Sequence, residues 1–175
     1  MTMASTKILT APTFLCALED ATAARTRARA VARLRTFEGP RPAVEAVDRE
    51  VVRDWARSRL RSVLALSRRP EVRIRHAALW ALGESGDSRA VEGLVSALQR
   101  PQDEFDHDHV FMAVSRLGPA ALPPLRAMAM MGWGEAVLCL GHVRGDDSGA
   151  VDALRAAVGD ELSVRVHAVG AEREA

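Results

Sequence analysis

The sequence predicts an all-α superhelix, a solenoid of about four to five helical pairs, and three observations predict it. Apolar residues recur at helical spacing through most of the 175-residue chain. The dipeptide Leu-Gly closes such a stretch three times, at Leu82-Gly83, Leu117-Gly118 and Leu140-Gly141. A first-helix pattern beginning at Ile74 restarts at Val164, ninety positions later, which is three units of about thirty residues.

The clearest unit begins at Ile74-Arg-His-Ala-Ala-Leu-Trp-Ala-Leu-Gly83. On a helical wheel Ile74, Ala77, Ala78, Ala81 and Leu82 share one side, and Arg73, His76 and Trp80 lie opposite. Gly83 is expected to end this helix in a left-handed conformation. Asp87 or Ser88 can cap a second helix whose apolar face is Val91, Leu94, Val95 and Leu98, and Pro101 closes the unit. The alanines allow neighbouring helices to approach closely.

The next unit substitutes Pro119-Ala-Ala-Leu-Pro-Pro-Leu-Arg-Ala-Met128 for the second helix, with its prolines confined to the first turn. A third follows Leu140-Gly141 with Asp147-Ser-Gly-Ala-Val-Asp-Ala-Leu-Arg-Ala-Ala-Val158. Val164-Arg-Val-His-Ala168 begins another, and the polar tail 170–175 is expected to cap the stack. Upstream, Pro42-Ala-Val-Glu-Ala-Val47 parallels Arg89-Ala-Val-Glu-Gly-Leu94. The expected organisation is one domain over 1–175: a flexible N-terminal segment over 1–20, an irregular basic helical part over 21–69, and clearer repeats over 70–175.

The pattern Val-Arg, small residues, Ala-Leu-Gly, an Asp-rich turn and a Leu-rich second helix resembles the HEAT repeats of the phycobilin-lyase type. The likeness is best over 70–100 and extends over 104–170. It implies a fold shared by chromophore-lyase subunits, scaffold proteins, metal-dependent deoxyhypusine hydroxylases and, further off, HEAT-like DNA glycosylases. The hydroxylases bind iron through His-Glu pairs. None of the five histidines here precedes Glu, so that chemistry is not carried over.

Composition agrees with a globular helical chain, at 48% hydrophobic and 27% charged residues. With aromatics at 4%, the core must come from Ala, Leu and Val. Cys16 and Cys139 form no disulfide framework and no zinc spacing, which predicts a reducing, cytoplasmic setting. The stretch Ile8–Leu15 has some signal-peptide character, but Pro12 interrupts it and Glu19-Asp20 follows, so export is not expected. No run is long enough to cross a membrane.

The net charge of +1 hides a polarised chain. Residues 21–75 hold fifteen Arg against six acids, whereas 76–175 hold eight against fifteen. Two arginine rows at i, i+4, i+8, Arg25/Arg29/Arg33 and Arg53/Arg57/Arg61, each mark one helix face. Beside the second, Val52, Trp55, Ala56, Leu60 and Val63 form an apolar side. The rows read either as solvated faces or as a seat for an acidic partner. Arg73, His76 and Trp80 read as a second contact patch, since Trp and Arg are common interface anchors, or Trp80 closes the core against the N-terminal helices.

Asp103-Glu-Phe-Asp-His-Asp-His109 is the one segment with the look of chemistry. Asp106, His107 and His109 are its candidate metal ligands, but acids at the start of a helix are expected to cap amides, so no metal and no other cofactor is expected. Met112, Met128, Met130, Met131 and Trp133 read as soft core filler, and Cys139 as a buried thiol without a His partner in sequence. Phosphate-loop, dinucleotide and nucleophile-elbow motifs are missing. The sequence therefore favours a non-catalytic scaffold or adaptor for a protein with an acidic patch. The alternatives are nucleic acid binding through the arginine rows and an enzyme of bilin-lyase or metal-dependent type; oligomeric state is not legible.

Overall fold

A computed structural model describes residues 10–35 and 49–143. The repeat copies expected at 42–47, 147–158 and 164–168, and the tail 170–175, lie outside these residues. Within them the secondary structure is helical, with no strand. The helices are α1 (Ala11–Thr22), α2 (Arg27–Arg33), α3 (Arg49–Ser58), α4 (Leu60–Leu66), α5 (Val72–Glu84), α6 (Val91–Gln99), α7 (Asp106–Leu117), α8 (Leu122–Met130) and α9 (Gly134–Leu140). Short 3-10 turns at Ala24–Thr26, Ser88–Ala90 and Gly118–Ala121 lead into α2, α6 and α8.

Within the N-terminal segment expected to be flexible, the residues from Ala11 onward form a helix. Phe14, Ala17, Leu18 and Ala21 stand at i, i+3, i+4 and i+7 and are fully buried. Pro12 sits in the first turn of α1, where its missing N–H is not needed, so it starts the helix instead of breaking it. The Pro123-Pro124 pair occupies the equivalent place in α8, as the sequence predicts.

The stack is centred on α5. It packs most extensively against α7 on one side and against α4 and α3 on the other, with α1 also in contact. Ile74 through Glu84 are all buried, so the expected polar side of this helix does not exist. A wheel finds one apolar face because it considers one neighbouring layer. A helix in the middle of a stack has layers on both sides. α6 and α7 continue the packing, α8 and α9 pair with each other, and α9 also touches α6.

Gly83 does not perform the expected task. The helix runs past it to Glu84, and the left-handed turn falls at Gly86, with φ of 60°. A Cβ on Gly83 would stand 2.6 Å from the Ala113 Cα and 2.8 Å from its carbonyl oxygen. At this glycine the backbones of α5 and α7 approach too closely for a Cβ. At the corresponding Leu117-Gly118 the glycine does take a positive φ, 58°, and ends α7. Asp87 caps the next turn as expected, its carboxylate accepting from the Arg89 amide at 3.0 Å.

Candidate functional site: a buried charged cluster between successive repeats

The start of α5 and the loop leading into α7 enclose the largest set of buried polar groups among the described residues. Arg75 is 2% exposed. Its Nε donates to Asp106 Oδ1 at 2.8 Å and its Nη2 to Asp103 Oδ2. Its Nη1 donates to the carbonyls of Arg69 (2.9 Å) and Pro70 (3.2 Å) and lies 3.3 Å from Gln102 Oε1. The guanidinium fork is thus satisfied on all sides, as a buried cation requires.

His76, 1% exposed, places Nε2 3.0 Å from Asp106 Oδ1 and 3.1 Å from Asp103 Oδ2. Carboxylates only accept, so this nitrogen carries the proton and donates. Asp106 Oδ2 accepts from the amides of Gln102 (2.6 Å) and Asp103 (3.3 Å), folding the carboxylate back over the turn that starts α7. Burial pushes the Asp106 carboxyl up. The hydrogen bonds from Arg75 and the Gln102 amide, the Arg75 charge and the bond from His76 outweigh burial, and the pKa is held below its ordinary value. The His109 ring stacks on His76 with centroids 3.9 Å apart.

The geometry redraws the metal candidates. His107 is exposed and leans on Phe111, with centroids 6.4 Å apart, while Asp106 turns inward. His109 is buried against His76. The three groups that do converge are His76, Asp103 and Asp106, with donor atoms within 4.8 Å of one another. Asp106 Oδ1 already accepts hydrogens from both Arg75 and His76. A divalent ion would have to displace the guanidinium and then sit against its positive charge. The donor set fits an ion-paired cross-link and does not fit a metal centre.

The structure also separates the residues expected to contact a partner. Trp80 is 2% exposed, edge-on to Phe14 at 5.2 Å with the Arg116 guanidinium 5.6 Å above its ring. Trp80 and His76 are therefore interior, and the surface patch of Arg73, His76 and Trp80 is reduced to half-buried Arg73. Neither arginine row is one continuous helix face. Arg25 lies in the 3-10 turn before α2, and the helix is interrupted at Arg59 (φ −120°, ψ 25°) between Arg57 and Arg61.

Two members of the rows have structural duties. Arg33 pairs with Asp20 at 2.5 Å, and Arg57 donates to the Ser85 carbonyl at 2.6 Å. Arg25, Arg29, Arg53 and Arg61 have no ion-pair partner among the described residues. Trp55 joins the core side as expected, its indole N–H donating to Glu19 at 3.0 Å under the Arg59 guanidinium. The methionines divide: Met128 is buried, Met112 half-buried, and Met130 and Met131 are 80% and 68% exposed. Burial, helped by the Glu135 charge, pushes the Cys139 thiol up to about 12, so it stays protonated at neutral pH.

Sequence reasoning missed Arg75, Gln102 and Asp103 as partners of one cluster. A signal was present in the repeat length. With units of about thirty residues, groups thirty apart occupy the same place in successive layers and become neighbours. His76 meets Asp106 at a separation of 30, Arg75 meets Asp106 at 31, and the Gly83–Ala113 approach obeys the same offset.

Helical layers in register at this offset define an α-helical repeat stack. The family model for the PBS lyase HEAT-like repeat matches residues 74–100, the α5–α6 pair and the turn between them, so this part of the chain is similar to a HEAT-like repeat. No curated protein and no solved structure matches the chain.

Proposed function

We propose that this protein is a non-catalytic scaffold or adaptor whose helical stack presents a preformed surface to a protein partner carrying an acidic patch. The observation that carries this reading is the contrast in how its arginines are used. Arg75 is locked inside the stack, whereas Arg25, Arg29 and Arg61 are exposed and Arg53 is half-buried, all four without an ion-pair partner among the described residues. Unpaired guanidinium groups on an already ordered surface suit carboxylate recognition, because little conformational entropy is lost on binding. No helix among the described residues is long and apolar enough to cross a membrane.

The test is capture of partners on the tagged full-length protein, with and without nuclease, beside a variant carrying Arg25→Gln, Arg29→Gln, Arg53→Gln and Arg61→Gln. The expected result is a stoichiometric, nuclease-resistant protein whose purified form binds wild type directly and the variant at least tenfold more weakly. Recovery of nuclease-sensitive material alone, with affinity falling steeply as salt rises, would replace the adaptor reading with nucleic acid binding.

A further inference from the structure

Beside the buried cluster is a half-open pocket of about 460 Å³ between the end of α4, α6 and the loop into α7. Its volume is within the range of small-molecule sites, about 300–1,000 Å³. Arg68, Arg75, Ser96, Arg100, Gln102 and Asp106 are among the residues that line it. Three arginines and one aspartate are therefore among its lining residues.

The charges are not equivalent. Asp106 cannot repel an incoming anion as a free carboxylate would, since Oδ1 accepts from Arg75 and His76 and Oδ2 from two backbone amides. Arg75 offsets one of the two aspartates, and Arg68 and Arg100 together outweigh the other by one positive charge. Both of these arginines are exposed, and neither has an ion-pair partner among the described residues. They come from different elements, after α4 and after α6, and reach the same cavity because the repeat stacks those ends together. Gln102 leaves its amide hydrogens available, since its Oε1 is the atom facing Arg75. Two arginines brought to one concavity together with neutral donors suit an oxyanion, which pairs with guanidinium groups and accepts hydrogen bonds.

We propose that this pocket is an oxyanion-binding site, taking the phosphate or carboxylate group of a small molecule between Arg68 and Arg100, with the Gln102 amide and Ser96 hydroxyl as neutral donors. The site is independent of the exposed arginines used for partner binding. It is also distinct from the metal candidates, because its ligand is an anion and Arg75 is kept in place.

Titration of the full chain with inorganic phosphate and, separately, with succinate tests this, using calorimetry at constant ionic strength with chloride as the balancing anion. Amide chemical shifts of wild type are followed in parallel. Saturable one-to-one binding of phosphate, of succinate or of both is expected, and the anion that binds identifies the ligand class. The amides of Ser96, Arg100 and Gln102 should shift together. Arg68→Gln with Arg100→Gln should weaken binding by at least about tenfold, the loss expected for removing two charge-assisted donors. Arg35→Gln with Arg49→Gln, two exposed arginines outside the pocket, should bind as wild type does. Failure of both anions to saturate, shifts scattered over the arginine-rich surface, or equal losses in the two double variants would overturn the proposal.

Discussion

The centre of the stack and its N-terminal part are both rich in arginine but use it in opposite ways. In the centre, Arg75 sits between α5 and the loop into α7, 2% exposed and bonded to two aspartates and two carbonyls. In the N-terminal part, Arg27, Arg33 and Arg59 make partly exposed pairs with Glu71, Asp20 and Glu19, and their neighbours make none among the described residues. The same side chain is a structural member in one region and a surface charge in the other. What decides is how many layers cover the helix that carries it. Charge patterns read along the sequence do not contain that information until layer order is known.

The sharpest way to break this comparison is to remove one member of the central cluster. Asp106→Ala leaves the buried Arg75 Nε and the part-buried Gln102 amide without their acceptor, and should cost about 3–5 kcal/mol in urea unfolding. Arg33→Gln, in the other region, should cost under about 1 kcal/mol in the same assay, because its pair with Asp20 is partly exposed and screened. Comparable losses would erase the distinction between the regions.

Trp80→Ala sharpens the same contrast. As an interior residue packed on Phe14, Trp80 should cost about 3–5 kcal/mol of stability when truncated. A variant of wild-type stability that loses a binding partner would return Trp80 to the surface role read from the wheel. Gly83→Ala should cost about 1–3 kcal/mol, since the added methyl meets the Ala113 backbone, which cannot swing aside as a side chain can. Glycine at that position marks a close approach of backbones, and thermal melts of the alanine variant measure how tightly α5 and α7 are pressed together.

The smallest effect is a pH dependence. The Asp106 carboxyl is held below its ordinary value in the folded protein, so on acidification the unfolded chain takes up this proton first. The stability it contributes is present in full above the ordinary carboxylate range, near pH 4, and is lost as pH falls through the folded value. Unfolding midpoints between pH 7 and pH 3 should therefore fall less steeply for Asp106→Asn than for wild type, apart from its lower overall stability.

Much of the fold was legible because helical period and repeat length are local or nearly local properties. The α5–α6 pair, the proline-led α8 and the buried set Val52, Trp55, Ala56, Leu60 and Val63 all follow from spacing. The cluster was less legible. His76 looked like a surface residue because a wheel assigns polar groups outward, and the Asp103–His109 segment looked like a ligand run because its partner Arg75 belongs to the previous layer. Setting the chain against itself at an offset of thirty would have paired His76 with Asp106. The pocket at Arg68 and Arg100 lay beyond that step, since it depends on which helix ends the stack brings round one cavity.

The account rests most directly on the cross-link between layers, and a double-mutant cycle on Arg75→Met and Asp106→Leu measures it. Each single change should be strongly destabilising, about 3–5 kcal/mol, because it removes one partner of a buried ion pair and leaves the other's charge less compensated, and the double variant should cost far less than the sum. Single costs that add to within about 0.5 kcal/mol would mean that the two residues do not depend on each other, contradicting a buried ion pair as the tie between successive repeats.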